Sequence, residues 1–177
     1  MTRALPLYPF SASIPGSGSI RVDLQWASDG KLHFDFLLAG FTGLRIPPAK
    51  AARASDGLWQ HTCCEAFIAN AGDAAYREFN FSPSGEWAIY DFSGYRQTAA
   101  TAICRPPAIQ CAPSHDGFRL SAQVDRSELP TGARLQLGLC CVLESEDGSK
   151  TYWAAQHTAA QPDFHQRNSF IITLDPP

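Results

Sequence analysis

Glu65, Glu78 and Asn80 stand at spacings that gather carboxyl and amide groups on one surface. Residues 63–69 alternate Cys63, Glu65 and Phe67 against Cys64, Ala66 and Ile68, and residues 76–82 alternate Tyr76, Glu78, Asn80 and Ser82 against Arg77, Phe79 and Phe81. Side chains two apart on a strand share a face. A hairpin-like pair of these strands therefore has an apolar face of Ala66, Ile68, Phe79 and Phe81 and an opposite face of Glu65, Glu78, Asn80 and Tyr76. Carboxylates and amides accept the hydroxyl hydrogens of a small polar molecule, and a flat aromatic ring stacks on the C–H face of a sugar. Trp59, Tyr95 and Trp153 are the expected platforms, and Glu65, Glu78, Asn80 and Arg96 the expected polar contacts. The chemistry this predicts is equilibrium binding of a sugar-like molecule, with no catalytic residue, cofactor or metal ligand assigned. A structural alternative stands beside it: Glu65 spent on a cross-strand ion pair with Arg77 or Arg96, and Trp59 plugging the end of the fold.

Other chemistries find less support in the residue types. Glu65 and Glu78 on neighbouring strands would lie at the roughly 5–10 Å separations that glycoside hydrolysis uses, yet neighbouring carboxylates are common without catalysis. His61 beside Cys63 makes a nucleophile pair only if both side chains converge. No phosphate-cradling glycine motif and no G-x-S-x-G is present.

The elements that must position these residues are short strands. Residues 19–27 and 31–38 alternate cleanly around Ser28-Asp29-Gly30, a hairpin turn, and residues 134–143 carry Leu135, Leu137, Leu139, Cys141 and Leu143 on one face. Further strands are expected at 3–10, where Pro6 and Pro9 confine the segment to an edge, and at 63–69, 75–82, 86–92, 108–113, 117–124, 151–155 and 169–174. Trp87 shares a face with Ile89, and Trp26 with Leu24, so both read as packing residues. Helix is confined to one turn at 49–54 and another at 125–129. Three long connections, 41–60, 93–107 and 156–168, deliver Trp59, Tyr95 with Arg96, and His157, Asp163 and His165. Roughly ten strands at this spacing predict an all-β chain folded as an antiparallel β-sandwich of jelly-roll type.

The composition agrees. The 177 residues, 45% hydrophobic and 18% charged, fit one folded domain over 1–177, with eleven Phe, five Tyr and four Trp to fill a core. A net charge of −3 without basic clusters excludes a nucleic-acid footprint, and no apolar run spans a bilayer. The N-terminus lacks a secretory pattern, so a cytoplasmic address is expected. Cys63, Cys64, Cys140 and Cys141 form two doublets, Cys104 and Cys111 stand apart, and no C-x-x-C occurs; buried thiols in a reducing compartment are expected rather than zinc or a disulfide framework.

The run from Leu58 to Phe67, the stretch from Tyr76 to Tyr95, Tyr152-Trp153 and Pro162-Asp163-Phe164-His165 resemble a group of bacterial DOMON-like proteins, which are similar to the family 9 carbohydrate-binding modules. The resemblance covers 19–174. It implies a β-sandwich whose relatives bind sugars or haem. In the sugar-binding modules two tryptophans sandwich a ring beside carboxylate and amide groups. Trp59 and Glu65 match a tryptophan preceding an acidic strand residue, and Trp153 is a loose match to a second wall. Where those modules commonly have an acidic residue this chain has His61. For haem, the methionine–histidine pair common in DOMON cytochromes is not available, because Met1 is the one methionine; His157 and His165 are the remaining axial pair. A cytoplasmic address favours a nucleotide-sugar or cell-wall precursor over a polysaccharide. A glycoside hydrolase and a sandwich that pairs with partners through an edge strand complete the alternatives.

Overall fold

The computed structural model describes residues 2–11, 18–101 and 104–177. They form twelve strands: β1 (Arg3–Pro9), β2 (Ser19–Trp26), β3 (Leu32–Ala39), β4 (Cys63–Asn70), β5 (Tyr76–Phe81), β6 (Trp87–Gly94), β7 (Gln97–Ala99), β8 (Ala108–Ser114), β9 (Gly117–Val124), β10 (Leu135–Glu144), β11 (Lys150–Ala154) and β12 (Ile172–Leu174). All pairings between these strands are antiparallel, in the order β7-β6-β5-β4-β10-β11-β1-β2-β3-β9-β8, with β12 beside the first residues of β10. Strand β1 joins the layers of the sandwich. Residues 3–7 pair with β2, and Tyr8 and Pro9 pair with β11. Each half of β1 thus has a partner on one side only, which is where a residue lacking an N–H is tolerated, and Pro6 and Pro9 lie at an edge of each layer as expected.

The core is the meeting of two alternating faces. β2, β3 and β9 contribute Val22, Leu24, Phe34, Phe36, Leu120 and Ala122, and β4, β5 and β10 contribute Ala66, Ile68, Phe79, Phe81, Leu137 and Leu139. Phe81 reaches across the layers to Phe34 and Phe36, with ring centroids 5.7 and 6.5 Å away. Burying each such aromatic ring contributes on the order of 2–3 kcal/mol. Two turns hold the strands close for different reasons. Gly30 has φ 82, the left-handed geometry its hairpin demands. Gly117 is needed for space, because a Cβ there would stand 1.9 Å from the Leu38 carbonyl oxygen.

Three local expectations are corrected. Residues 49–54 form no helical turn. The segment runs extended along the end of β6, with Lys50 N–H donating to Ser84 O and Ala54 bridging Trp87. Its two cations, Lys50 and Arg53, donate to the buried Glu86 carboxylate at 2.8 and 2.9 Å, a tertiary pairing that outweighs helix propensity. The last strand is shorter than 169–174, since Arg167–Ser169 is a 3-10 turn and pairing begins at Ile172. The short strand β7 was hidden in the connection after β6. The turn expected at 125–129 is a 3-10 turn over Arg126–Glu128, capped by the Asp125 carboxylate on Ser127 N–H.

Candidate functional site

The outward face of β4, β5, β6, β10 and β11 is not flat solvent surface. A cleft of about 520 Å³ lies over it. Its floor is Glu65 and Phe67 from β4, Glu78 from β5, and Tyr90 and Phe92 from β6, each two residues from its neighbour and so on one face. Val142 of β10 and Tyr152 of β11 extend the floor to one side. Trp59, on the 3-10 turn Leu58–Gln60, stands at one lip beside Asp56 and Gln60, and Pro162, Phe164 and His165 from the long loop 155–171 form another. Arg96, Thr98 and Lys150 complete the rim.

Glu65 and Glu78 are diagonal neighbours on the paired strands, since Glu65 faces Asn80 and Phe67 faces Glu78. Glu65 is 2% exposed, and its Oε1 has no hydrogen-bond partner, while Oε2 meets only the Cys140 thiol at 3.6 Å. An unpaired buried acceptor costs about 1–3 kcal/mol. Glu78 Oε1 accepts from Asn80 Nδ2 at 2.6 Å, and its Oε2 lies 3.9 Å from His165 Nε2. Burial pushes the Glu65 carboxyl well above the carboxylate range, and the Glu78 charge adds to the shift. Burial likewise pushes Glu78 up to about 7, against the opposing pull of the Asn80 hydrogen bond and the Arg96 charge. Both shifts favour the protonated acids over the buried carboxylates.

His165 is held among the rings of Phe67, Phe92 and Tyr76, at centroid distances of 5.1, 5.0 and 6.0 Å. Burial, with the Arg96 charge, brings it down to about 4, so the ring is neutral at pH 7. Tyr76 Oη accepts from Arg96 N–H at 3.2 Å and lies 2.9 Å from His165 Nδ1. With Tyr76 donating to Nδ1, the ring proton sits on Nε2 and points toward Glu78; this tautomer is assigned from the network.

Asp163 ties the long loop to the β6–β7 turn. It accepts from Tyr95 Oη at 2.7 Å, Arg96 Nη2 at 3.0 Å, His165 N at 3.1 Å and Gln166 Nε2 at 2.9 Å. Partial burial works to raise its carboxyl, but these donors outweigh burial and hold it at about 2. Arg96 has φ 51, the one positive φ at a non-glycine among the described residues. A non-glycine in that region is disfavoured by roughly 1 kcal/mol or more, and the Asp163 and Tyr76 bonds keep it there.

Of the residues singled out in the sequence, Trp59, Glu65, Glu78 and Arg96 line the cleft. Asn80 lies beneath it, fully buried, as the donor to Glu78. Tyr95 is exposed outside it and braces Asp163. Trp153 is the correction. It is 5% exposed against 48% for Trp59, and it points into the core on the face opposite Tyr152, edge-on to Phe41. It cannot be a second stacking wall; Tyr152, one residue earlier, takes the outward position. Glu65 is not spent on an arginine: Arg77 pairs with Asp91 and Glu128, and Arg96 with Asp163. His61 and Cys63 do not converge either, since His61 Nδ1 bonds Glu144 at 2.7 Å and the Cys63 thiol meets Asn80. Of the axial pair considered for haem, His157 Nε2 is engaged by the Tyr8 carbonyl and His165 Nδ1 by Tyr76. No group of three or more metal-ligating side chains occurs among the described residues. Sequence reasoning missed Tyr90, Tyr152 and Phe164 as walls. For Tyr90, the signal was its alternation with Trp87 and Ile89, which already read as packing residues.

No family model matches this chain, and no curated protein matches it significantly in sequence. Its fold is nonetheless shared with solved structures. A candidate carbohydrate-binding protein from Bacteroides uniformis superposes with a TM-score of 0.72 at 12% identity, over 98% of this chain and 86% of that one. A family 9 carbohydrate-binding module from Caldicellulosiruptor kristjanssonii, in complex with cellotriose, superposes with a TM-score of 0.64 at 14% identity, over 98% and 82% of the two chains. A module of the same family and organism in complex with glucose gives 0.60 at 15% identity, over 92% and 78%. At these identities the likeness establishes the β-sandwich fold, the one these carbohydrate-binding modules share.

Proposed function

We propose that the protein is a DOMON-like sandwich that binds a carbohydrate, or a closely related small polar molecule, in the cleft over β4, β5 and β6, without catalysis. The observation that carries this reading is the Glu65 oxygen left without a partner at the floor of a 520 Å³ cleft between aromatic rings. A volume of that order suits one or two sugar rings. Trp59, Tyr90, Tyr152 and Phe164 offer ring surface to C–H faces, and Glu65, Glu78 and Arg96 offer polar contacts from below and from the rim. The floor is preorganised, because it lies on paired strands rather than on loops. The solved neighbours bound to cellotriose and glucose are consistent with this ligand class.

Calorimetric titration with glucose and cellotriose tests it. Saturable 1:1 binding that weakens by about tenfold in Trp59→Ala is expected, the loss of one stacking contact of about 1–1.5 kcal/mol. Undiminished affinity in that variant would overturn the stacking model. Release of dye from aryl glycosides, lost in Glu65→Gln, would make the same two carboxyls a hydrolytic pair and overturn the non-catalytic reading.

A further inference from the structure

The floor of the cleft leaves more unsatisfied than a hydroxyl group can supply. Glu65 Oε1 has no donor, and His165 Nε2 lies 3.9 Å from Glu78 Oε2, beyond hydrogen-bond length. Both side chains are buried, and the strand register holds them as diagonal neighbours on one face. The arginines that might have neutralised them are committed to Asp91, Glu128 and Asp163. Trp59, Tyr90, Tyr152 and Phe164 line the same cleft. Two carboxyls without cations, walled by aromatic rings, have the make-up of an ammonium site, since ring faces attract cations and an ammonium brings three donors at once.

We propose that the preferred ligand carries a protonated amine, as a free amino sugar does, and that its ammonium group seats between the Glu65 and Glu78 carboxyls. The inference rests on the sugar-site reading above and sharpens it. Every charged or titratable group facing the pair fits. Cys63 and Cys140 are buried thiols on the flanking strands, held protonated by burial. Tyr76 and Tyr90 are neutral phenols, and burial holds His165 neutral. Arg96 is neutralised by Asp163, and Lys150 on the rim stands opposite Glu144 in the strand register, a carboxyl lowered by the His61 hydrogen bond and by Lys150 itself. On binding, the ammonium keeps its own protons. The Glu78 carboxyl gives up its proton to solvent, so the complex holds an ion pair where the unliganded floor held an acid.

The test compares 6-amino-6-deoxyglucose with glucose, its hydroxyl isostere, by calorimetry at pH 6 and pH 8 in buffers of different ionisation enthalpy. With a floor carboxyl titrating at about 7, the ionised fraction rises about tenfold between these conditions. The amino sugar is expected to bind about tenfold tighter at pH 8 and to release close to one proton at pH 6, while glucose changes by less than about twofold. Glu65→Gln and Glu78→Gln keep the shape of the floor, and each is expected to bring the ratio of amino-sugar to glucose affinity to about one at both pH values, whatever either change costs glucose itself; a ratio that stays at its wild-type value in both variants would overturn the assignment. Equal binding of both sugars without proton release, or binding of glucose alone, would overturn the ammonium assignment and leave the sugar site standing. Failure of both sugars to bind would remove the two readings together.

Discussion

Replacing Asp163 by Asn should loosen the lip of the cleft by an amount the structure specifies. Four donors converge on this carboxylate and hold it at about 2, against an ordinary 3.8. Nearly two decades of pH at about 1.4 kcal/mol each correspond to roughly 2 kcal/mol favouring the charged form in the folded state. Asparagine keeps one acceptor oxygen, but its amide hydrogens then face donors, so most of that contribution is lost. For a domain of this size, about 2 kcal/mol lowers Tm by roughly 4–8 °C. The sign with pH follows from the direction of the shift. A carboxyl depressed in the folded state stabilises above its unfolded pKa and loses that contribution as pH falls through the folded one. The gap between wild type and Asp163→Asn should therefore be full at pH 7 and close between about pH 4 and pH 2. Urea denaturation of both proteins at pH 7, 4 and 3 measures it, together with the midpoint shift at constant m-value. A gap under about 0.5 kcal/mol at pH 7, or one that does not narrow with acid, would refute the claim that Asp163 is the charged hub of the lip.

Other outcomes follow from individual contacts. Tyr76→Phe removes the hydroxyl between Arg96 N–H and His165 Nδ1 and should cost about 1–3 kcal/mol in urea denaturation, with weaker ligand binding because His165 loses its anchor. Trp153→Ala should cost about 3–5 kcal/mol as a core cavity, whereas Trp59→Ala, at a half-exposed lip, should stay within about 0.5 kcal/mol of wild type by the same measurement. Gly117→Ala should fail to give a stable fold by circular dichroism, because the new methyl meets the Leu38 carbonyl oxygen of the paired strand.

Strand alternation made the sandwich legible, and with it the placement of Glu65 and Glu78 on a shared outward face. Leu135, Leu137, Leu139 and Cys141 named the core side of β10, and Ala66, Ile68, Phe79 and Phe81 named it for β4 and β5. Trp153 was misplaced because β11 is five residues of mixed character, Lys150-Thr151-Tyr152-Trp153-Ala154, with no polar and apolar contrast to fix its facing. The deciding fact is its register: Trp153 pairs with Cys141, and directly paired residues share a face. Phe164 and the Asp163 hub were beyond reach for another reason. They sit in a loop without period, and their positions come from ring packing on Tyr152 and from hydrogen bonds to residues 67–68 positions away, information that local pattern does not contain. The failed helical turn at 49–54 has the same origin, since Glu86, which recruits Lys50 and Arg53, lies on the far side of β4 and β5 in the chain.

The indole N–H signals of the four tryptophans give the most direct test of where ligand binds. Trp26 Nε1 donates to the Asp175 carbonyl and Trp153 Nε1 to Thr151, both away from the cleft, while Trp59 stands at its lip. In a nitrogen–proton correlation spectrum, assigned with Trp59→Phe and titrated with glucose or its 6-amino analogue, the Trp59 indole resonance should shift saturably while those of Trp26 and Trp153 stay in place. A saturating ligand that leaves Trp59 unmoved, or that shifts Trp153 instead, would contradict the account.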